Sequence, residues 1–475
     1  RASLEGSEAA FSTFMRPTPL LRLLDSPTNV LLLAVFVDMF GVALVLPNLP
    51  FLFAELGGTP ESFGVLSSVY AIAQLTGGLV IGLVGDRRLG QKLSLQISFL
   101  GAALSYAVAG VATSLLLLVA SRVIVGLAKQ TMTCSTALLS SLTDEGGRTQ
   151  ALGRLSSTMA LALSLGQALG GIIASRYGRR IPCLAAAALF AADIALVQLC
   201  LPHVAARGGK GGGESGGDGG WSGGGGRVAA VRSSLQQTAA AFGGGGGQML
   251  LLRLLYSLLM RAGYSMHALY ESQAAVPRLA PHCSRLAPHA SRLDLAPHSS
   301  TWRRVRQVWS LSPAVSGSLA SYNQLLGLAV DWLLVGRLAA SRGEGRLLCL
   351  CLCLATLNSL LESRHRAFLL YAGLHLPVSA VLGRITKTCL ASLFSKSVPA
   401  ADQALVLSVL DIGNSAINVV APLYGGSVVG RLGVASQPLL AAAHYALLLA
   451  PTALVVRRAE SEAARRGGGA KPKEL

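Results

Sequence analysis

Charged residues are scarce in this 475-residue sequence and make up only 13% of it. Soluble domains carry about 25% charged residues, so the composition argues against a soluble protein. Hydrophobic residues account for 52% of the chain. They gather in runs of about 20, the length at which a helix crosses the hydrocarbon core of a bilayer. The sequence therefore predicts an all-α membrane protein that crosses the bilayer many times.

The apolar runs also lack the short motifs expected of an intramembrane enzyme. No suitable run contains an HExxH sequence, a GxSxG sequence or a pair of catalytic aspartates. Cys349, Cys351 and Cys353 cannot chelate one ion on a regular helix, because Cys351 points away from the other two. We therefore expect no enzymatic activity, no metal ion and no cofactor.

The net charge of +18 does not indicate a nucleic-acid partner. The basic residues lie mostly between apolar runs, where orientation in the membrane explains them better. Most of them fall on the side that also holds both chain ends, which the positive-inside rule assigns to the cytoplasm. We therefore expect the lipid bilayer as the partner, no nucleic acid, both termini in the cytoplasm, and a monomer.

The apolar runs predict twelve transmembrane helices in two six-helix halves. The first six runs are Val30–Leu52, Phe63–Val84, Leu93–Ala112, Leu115–Leu138, Leu155–Ala174 and Ile181–Leu201. The second six are Met249–Tyr270, Ala314–Val335, Leu347–Leu361, Ala367–Phe394, Leu405–Val429 and Pro438–Val456. The corresponding segments are a cytoplasmic N-terminal segment (1–29), the two halves (30–201 and 249–456), a glycine-rich cytoplasmic linker (202–248) and a basic tail (457–475).

One segment of the second half, residues 274–306, does not follow this pattern. It repeats the sequence Leu-Ala-Pro-His and carries several arginines on the side expected to lie outside. Such a low-complexity segment with recurring prolines does not form a packed core. We interpret it as an insertion, and its histidines as part of the repeat rather than a metal site.

Part of the sequence occurs twice. Leu127–Gly171 falls on Leu382–Gly426 without a gap, and Lys129 meets another base, Arg384. The glycine pairs at the ends of the two segments also coincide. Two similar halves in a membrane protein suggest a transporter with its site at the interface of the repeats.

Acidic residues fall inside several of the predicted membrane spans. An ionisable residue at the centre of a span costs about 2.5–3.5 kcal/mol, so Asp38 needs a wet cavity or a partner. It either contacts a proton or substrate, or anchors and pairs the helix end. For Asp193 and Asp331 the alternatives are an intrahelical or interhelical pair and a role in transport. Pro47 and Pro50 follow Asp38 in the same run and predict a kinked helix.

Two bases are placed to share a face of the fourth span. Lys129 follows Arg122 by seven residues, which is two helical turns. Two buried bases on one face favour an anionic group, or a carboxylate partner such as Asp38. Arg384 in the other half would complete a basic pair across the cavity. The alternative is that Lys129 and Arg384 extend to the membrane interface.

The loop after the second span resembles a signature of the major facilitator superfamily. In that family it reads Gly-x-x-x-Asp-Arg/Lys-x-Gly-Arg-Arg/Lys, and here it contains Gly82, Asp86, Arg87, Gly90 and Lys92. The second glycine comes one residue late, and a glutamine replaces a base. In the family, the acidic position takes part in a charge relay that closes the cytoplasmic side. The resemblance implies this role for Asp86.

Further motifs resemble the drug/proton antiporter-like branch of the same family. The first span is similar to the first-helix motif at Asp38, Gly41, Pro47 and Pro50, and the fourth to an Arg-x-x-x-Gly motif at Arg122 and Gly126. The fifth span is similar to a Gly-Pro-x-x-Gly-Gly motif at Gly166, Gly170 and Gly171, with Gln167 in place of proline. The repeat has that proline: Pro422, Gly425 and Gly426.

The resemblance implies the major facilitator fold, with two pseudo-symmetric six-helix halves. It also implies transport of a small solute by alternating access, with possible coupling to protons through Asp38 or Arg122. The departures at the loop and at Gln167 leave a second hypothesis open, a non-transporting membrane receptor or scaffold on the same fold.

Overall fold

The computed structural model describes residues 26–84, 90–201, 245–273, 312–334, 337–338, 343–364, 367–397, 403–433 and 436–467. Asp86 and Arg87 of the predicted gate loop, the insertion 274–306 and most of the linker lie outside the described residues. All regular secondary structure in the described ranges is helical.

The described helices follow the predicted runs in order. In the first half they are α1 (Pro27–Val45), α2 (Leu49–Glu55), α3 (Pro60–Val84), α4 (Gly90–Gly110), α5 (Leu115–Ala128), α6 (Thr131–Leu142), α7 (Glu145–Tyr177) and α8 (Ile181–Cys200). In the second half they are α9 (Gly245–Gln273), α10 (Pro313–Leu333), α11 (Glu344–Arg364), α12 (Phe368–Leu370), a π-helical turn (Tyr371–His375), α13 (Leu376–Ser397), α14 (Gln403–Leu432) and α15 (Gln437–Gly467).

Length and hydropathy identify nine membrane-crossing segments within the described ranges. The remaining long helices, α9, α10 and α14, occupy the positions of three further predicted spans. The prediction of an all-α membrane protein is confirmed, and the described helices are consistent with twelve spans.

Two predicted spans are not continuous helices. The first is interrupted at Leu46–Asn48, beside Pro47, and continues as α2. The fourth is interrupted at Lys129 and Gln130, which the sequence did not predict. Lys129 has extended backbone (ψ 93°), and the amide of Gln130 donates to Ser98 Oγ at 2.9 Å. A hydrogen bond from a neighbouring helix thus replaces one that a regular helix would make.

Several helices extend beyond the predicted runs. Helix α7 begins at Glu145, α9 begins at Gly245 within the predicted linker, and α15 continues to Gly467 within the predicted tail. Hydropathy marks only the apolar part of a helix. A prediction based on apolar runs therefore misses a polar part of a helix that extends outside the bilayer.

Two large hydrophobic cores lie on either side of the linker. One consists of buried residues between Val30 and Leu201, and the other of buried residues between Met249 and Leu448. The division agrees with two six-helix halves.

The halves meet where α7 crosses α10 and where α3 crosses α14. A Cβ added to Gly171 of α7 would collide with the carbonyl of Pro313, and one added to Gly317 of α10 would collide with the carbonyl of Gln167. The backbones of the two helices therefore touch directly.

The second crossing repeats this arrangement at equivalent positions. A Cβ added to Gly64 of α3 would collide with the carbonyl of Pro422, and one added to Gly426 of α14 would lie 2.7 Å from the carbonyl of Pro60. Small residues at membrane helix interfaces permit this close approach.

Hydroxyl groups reinforce both crossings. The Oγ atoms of Ser164 and Ser321 are 2.9 Å apart, and Ser68 Oγ donates to the carbonyl of Val419 at 2.5 Å.

Ser68 and Ser321 lie within about three turns of the first residues of α3 and α10. We call the end of the bundle that holds the α2–α3 loop (Leu56–Thr59) the far side, and the opposite end the linker side. Both crossings therefore lie towards the far side.

We predict that Gly171→Ala lowers the melting temperature of the purified protein in detergent. The methyl group forces α7 away from α10, and overpacking of this kind costs about 1–3 kcal/mol. Gly153 is a matched control on the same helix, because it is exposed and nothing lies within 4 Å of an added Cβ. Gly153→Ala should leave stability unchanged or raise it. Equal melting temperatures for the two variants would refute a tight crossing.

Candidate transport site

A cavity of about 730 Å³ lies between the two halves. Its wall comes from α1 to α5 of the first half and from α9, α13 and α14 of the second. Volumes of about 300–1,000 Å³ are typical of small-molecule sites. On the far side the cavity ends near the crossing of α3 and α14, since Pro422 takes part in both. The wall contains five cationic residues: Arg122, Lys129, Arg253, Arg261 and Lys387.

An ion pair between Asp38 and Lys129 lies at the edge of this cavity. Asp38 is fully buried, and its Oδ1 accepts from Lys129 Nζ and from Thr131 Oγ1, the latter at 3.3 Å. Thr131 Oγ1 lies 2.9 Å from Ser98 Oγ. Ser98 also holds the amide of Gln130, so one short network joins the carboxylate to the break between α5 and α6. The break thus presents the lysine to the carboxylate.

Aromatic rings support both basic residues of α5 and the break that follows it. Lys129 Nζ lies 4.9 Å from the centre of the Phe190 ring, and the guanidinium of Arg122 lies 5.1 Å from that of Tyr106. The two rings stack with centroids 5.4 Å apart. A cation over a ring face is attracted by the ring quadrupole, most strongly where water is excluded.

The first half holds a second buried carboxylate. Asp193, on α8, is 1% exposed, and neither of its carboxylate oxygens has a hydrogen-bond partner among the described residues. Oδ2 of Asp38 also has no hydrogen-bond partner among the described residues. Among the described residues, this half therefore has two buried carboxylates, of which only Asp38 is paired directly with a lysine.

The structure places the predicted pathway residues in two locations. Lys129 pairs with Asp38, one of the two partners that the sequence indicated, and does not extend to the interface. Arg384 lies outside the cavity wall, where it donates to Asp331 at 3.2 Å and to Gln324 at 3.0 Å. The expected basic pair of Lys129 and Arg384 across the cavity is therefore not formed. Lys387, one turn further along α13, lines the cavity instead.

The described part of the predicted gate loop shows local roles. Gly82 lies in the last turn of α3, and Gly90 starts α4 with φ +74°, a conformation that favours glycine. Lys92 Nζ donates to the carbonyl of Leu201 at 2.6 Å and to that of Gln198 at 3.2 Å. A lysine at a helix C-terminus bonds free carbonyls and balances the helix dipole, so Lys92 caps α8.

The predicted packing residues lie at close contacts or are buried. An added Cβ would lie 3.2 Å from the Phe190 ring at Gly41, 2.9 Å from the Tyr70 carbonyl at Gly126, and 2.7 Å from the Phe40 carbonyl at Gly166. At Gly170 it would collide with the Leu44 carbonyl. The other members are buried or line the cavity: Pro47, Pro50 and Gly425.

Three cavity cations were not identified from the sequence. Arg253 and Arg261 share a face of α9 with the other cavity residues of that helix, at spacings of three, four, seven and eight residues. This periodicity in the predicted span Met249–Tyr270 was the available signal. Lys387 had a weaker signal, since it follows Arg384 by three residues within the repeated segment.

Comparison with known proteins agrees with this arrangement. The sequence pattern that defines the Major Facilitator Superfamily matches residues 31–280, just over half of the chain. The chain belongs to the Major Facilitator Superfamily. Members of this family are transporters and not enzymes, in agreement with the absence of enzyme motifs.

Individual relatives match only part of the chain. The class H tetracycline resistance protein of Pasteurella multocida is 31% identical over 147 residues, covering 30% of this chain and 36% of the relative. Human solute carrier family 67 member A1 is 32% identical over 166 residues, covering 34% of this chain and 38% of the relative. The matches thus span well under half the length of these curated relatives.

Solved structures show the same fold over most of the chain. The nucleoside transporter NupG superposes with a TM-score of 0.63 at 15% identity, covering 90% of this chain and all of NupG. The human organic anion transporter MFSD10 (TETRAN) superposes with a TM-score of 0.54 at 18% identity, covering 92% of this chain and all of MFSD10. At these identities the likeness shows the fold alone.

We predict that Asp38 and Lys129 are energetically coupled. Asp38→Asn or Lys129→Gln alone leaves the other charge buried, and breaking a buried pair in this way costs about 3–5 kcal/mol. The double variant removes both charges and should recover most of the lost stability. The measurement is a double-mutant cycle on thermal unfolding in detergent.

A second ion pair provides the control for this cycle. Glu55 and Arg179 lie 3.1 Å apart with side chains 44% and 30% exposed. Exposed pairs contribute about 0–1 kcal/mol, so Glu55→Gln should change little. Additive losses in the Asp38 and Lys129 cycle would show that the pair is not coupled.

Proposed function

We propose that this protein is a secondary active transporter that moves a small solute by alternating access and couples its movement to protons. The observation that carries the proposal is the cavity: both halves supply its wall, and the crossings towards the far side close one of its ends. Rocking of the halves about these crossings would expose the cavity to the two sides in turn.

The proposal extends to branch and orientation. The motifs at Asp38, Arg122 and Gly166 favour the drug/proton antiporter-like branch, and the repeated segment is similar to major facilitator superfamily domain-containing protein 9. We propose that residues 30–201 and 249–456 are the two moving halves of a monomer. We propose that both termini and the linker face the cytoplasm and that the cavity opens to that side. Cysteine labelling from either face of sealed membranes tests this orientation.

The ion pair supplies a route for coupling. With Asp38 ionised, the ammonium group of Lys129 is engaged by the carboxylate at the edge of the cavity. A proton on Asp38 removes the charge that holds Lys129, and its ammonium group is then available to a solute in the cavity. Asp193 is a second carboxylate within electrostatic range of Lys129. Protonation of Asp38 therefore lets Lys129 exchange its bond to the carboxylate for a contact with the solute. No buried charge is left without compensation in this exchange.

The remaining predicted residues have supporting roles in this proposal. Asp86 and Arg87 would act in the gate loop, as the family resemblance implies. Arg384 would position α13 against α10 through Asp331, and a direct part in the pathway stays a prediction.

We predict that proton-driven flux depends on the Asp38–Lys129 pair and on Arg122. Purified protein is reconstituted into liposomes, a pH gradient is imposed, and uptake or efflux is measured across a solute panel. Arg122→Ala should lower the initial rate at least about tenfold, because a lost hydrogen bond to a charged group costs about 1.5–3 kcal/mol. The double variant Asp38→Asn/Lys129→Gln, which keeps the charges balanced, should lose its response to the gradient.

Glu55→Gln serves as the folded control and should transport normally. Unchanged gradient-driven flux in the double variant would contradict the coupling route. Wild-type protein that binds a solute but never moves it across the liposome membrane would instead support the receptor or scaffold hypothesis.

A further inference from the structure

We propose that the cavity selects amphiphilic organic anions: solutes with a negatively charged group joined to an aromatic or aliphatic body. This inference names the solute class of the proposed transporter and rests on that function. It follows from the sign of the charges in the cavity wall, from their placement and from the surfaces between them.

The charged side chains of the cavity wall all have the same sign. Five cationic residues line it, and its described lining contains no aspartate or glutamate. Behind the wall, Asp38 compensates Lys129, and Asp411 lies within electrostatic range of Arg253. Among the described residues, the wall therefore carries more positive than negative charge.

Two of the cations have no carboxylate partner among the described residues. Arg122 rests on Tyr106, and its Nε donates to Ser121 Oγ at 3.4 Å; Nη2 is buried with no hydrogen-bond partner among the residues that the structure describes. Lys387 enters none of the ion pairs of the described chain. A buried guanidinium nitrogen without an acceptor is costly, and a bound anion would satisfy it.

The cations stand on both halves of the protein. Arg122 belongs to α5 of the first half, whereas Arg261 and Lys387 belong to α9 and α13 of the second. An anion held between them draws the halves together, because it lowers the repulsion of like charges across the cavity. A cationic or neutral solute offers no such compensation.

The surface between the cations is apolar and aromatic. Phe63, Leu66 and Leu390 contribute to it, together with the rings of Tyr70 and Tyr256. Inorganic anions leave this surface uncovered, whereas an aromatic or aliphatic body buries it at about 25 cal/mol per Å² of apolar area. The cavity volume of about 730 Å³ also exceeds the needs of a small inorganic ion.

The test compares probes that differ in charge but not in ring structure. The full-length protein in detergent is titrated with 2-naphthalenesulfonate, 2-naphthalenemethanol and 2-naphthylmethylammonium, and inorganic sulfate is included as an anion without an apolar body. Binding is measured by calorimetry and by the shift in melting temperature. The sulfonate should bind at least about tenfold more tightly than each of the others, the ratio for one charge-assisted contact. Stronger binding of the alcohol or the ammonium probe, or no binding of any probe to folded protein, would overturn the proposal.

Substitutions at Lys387 locate the bound anion. Lys387→Gln should weaken sulfonate binding about tenfold, and Lys387→Arg should restore it, because both effects follow the charge. Lys396→Gln is the matched control: Lys396 lies on the same helix, is 67% exposed and pairs with Glu344 at 2.7 Å, outside the cavity. Equal effects of the Lys387→Gln and Lys396→Gln substitutions would show that the sulfonate binds elsewhere.

Flux of the same probes separates this inference from the proposed function. Sulfonate that binds through Lys387 but is not moved across liposomes overturns the transport function and leaves the anion site standing. Gradient-driven movement of the ammonium probe but not the sulfonate overturns the anion class and leaves the transport function standing.

Discussion

Direct backbone contact between the two halves is the constraint on which the other features depend. Lipid supplies no hydrophobic force that would press apolar helices together, so association relies on close packing and hydrogen bonds. The glycines at the two crossings allow both, and the serine hydroxyls add polar contacts at the same depth. The closest backbone contacts lie towards the far side, and the cavity lies between the two halves. The positions of Gly64 and Gly171 thus determine where the solute site can form.

The buried ion pair depends on a second departure from regular structure. A continuous helix from Leu115 to Leu142 would use the amide of Gln130 within the helix. In the structure that amide bonds to Ser98, and the backbone turns at Lys129 so that its side chain meets Asp38. Discontinuous membrane helices at binding sites serve the same purpose, because unwound backbone presents groups that a helix would hide. The break is therefore part of the site.

Much of the architecture could be predicted from local sequence properties. The length of the apolar runs placed the spans, and the match of Leu127–Gly171 with a second segment indicated two similar halves. The pairing of Lys129 with Asp38 was also within reach, since each needs a partner in lipid. Lys387 was missed in favour of Arg384, although a step of three residues leaves the two side chains only about 60° apart around the helix axis. Which of the two side chains faces the cavity is set by the packing of α13 against α11, α10 and α9.

The break at Lys129 could not be predicted, for a different reason. Ser98 lies on another helix, and its contact with the Gln130 amide exists only in the folded protein. No proline lies near Gln130, and the nearest glycine, Gly126, lies within the regular part of α5. The interruption beside Pro47 was expected, because proline removes a backbone donor wherever it occurs.

The two crossings share a geometry but differ in stiffness. Pro422 in α14 has no amide hydrogen, so the carbonyl of Asn418 loses its helical donor, and Asn418 faces the cavity. Gln167, at the equivalent point of α7, keeps its amide in an unbroken helix. Bending is therefore easier at the crossing of α3 and α14 than at the crossing of α7 and α10. The two similar halves would then move unequally: α7 and α10 would stay straight at their crossing, and α14 would bend at Pro422.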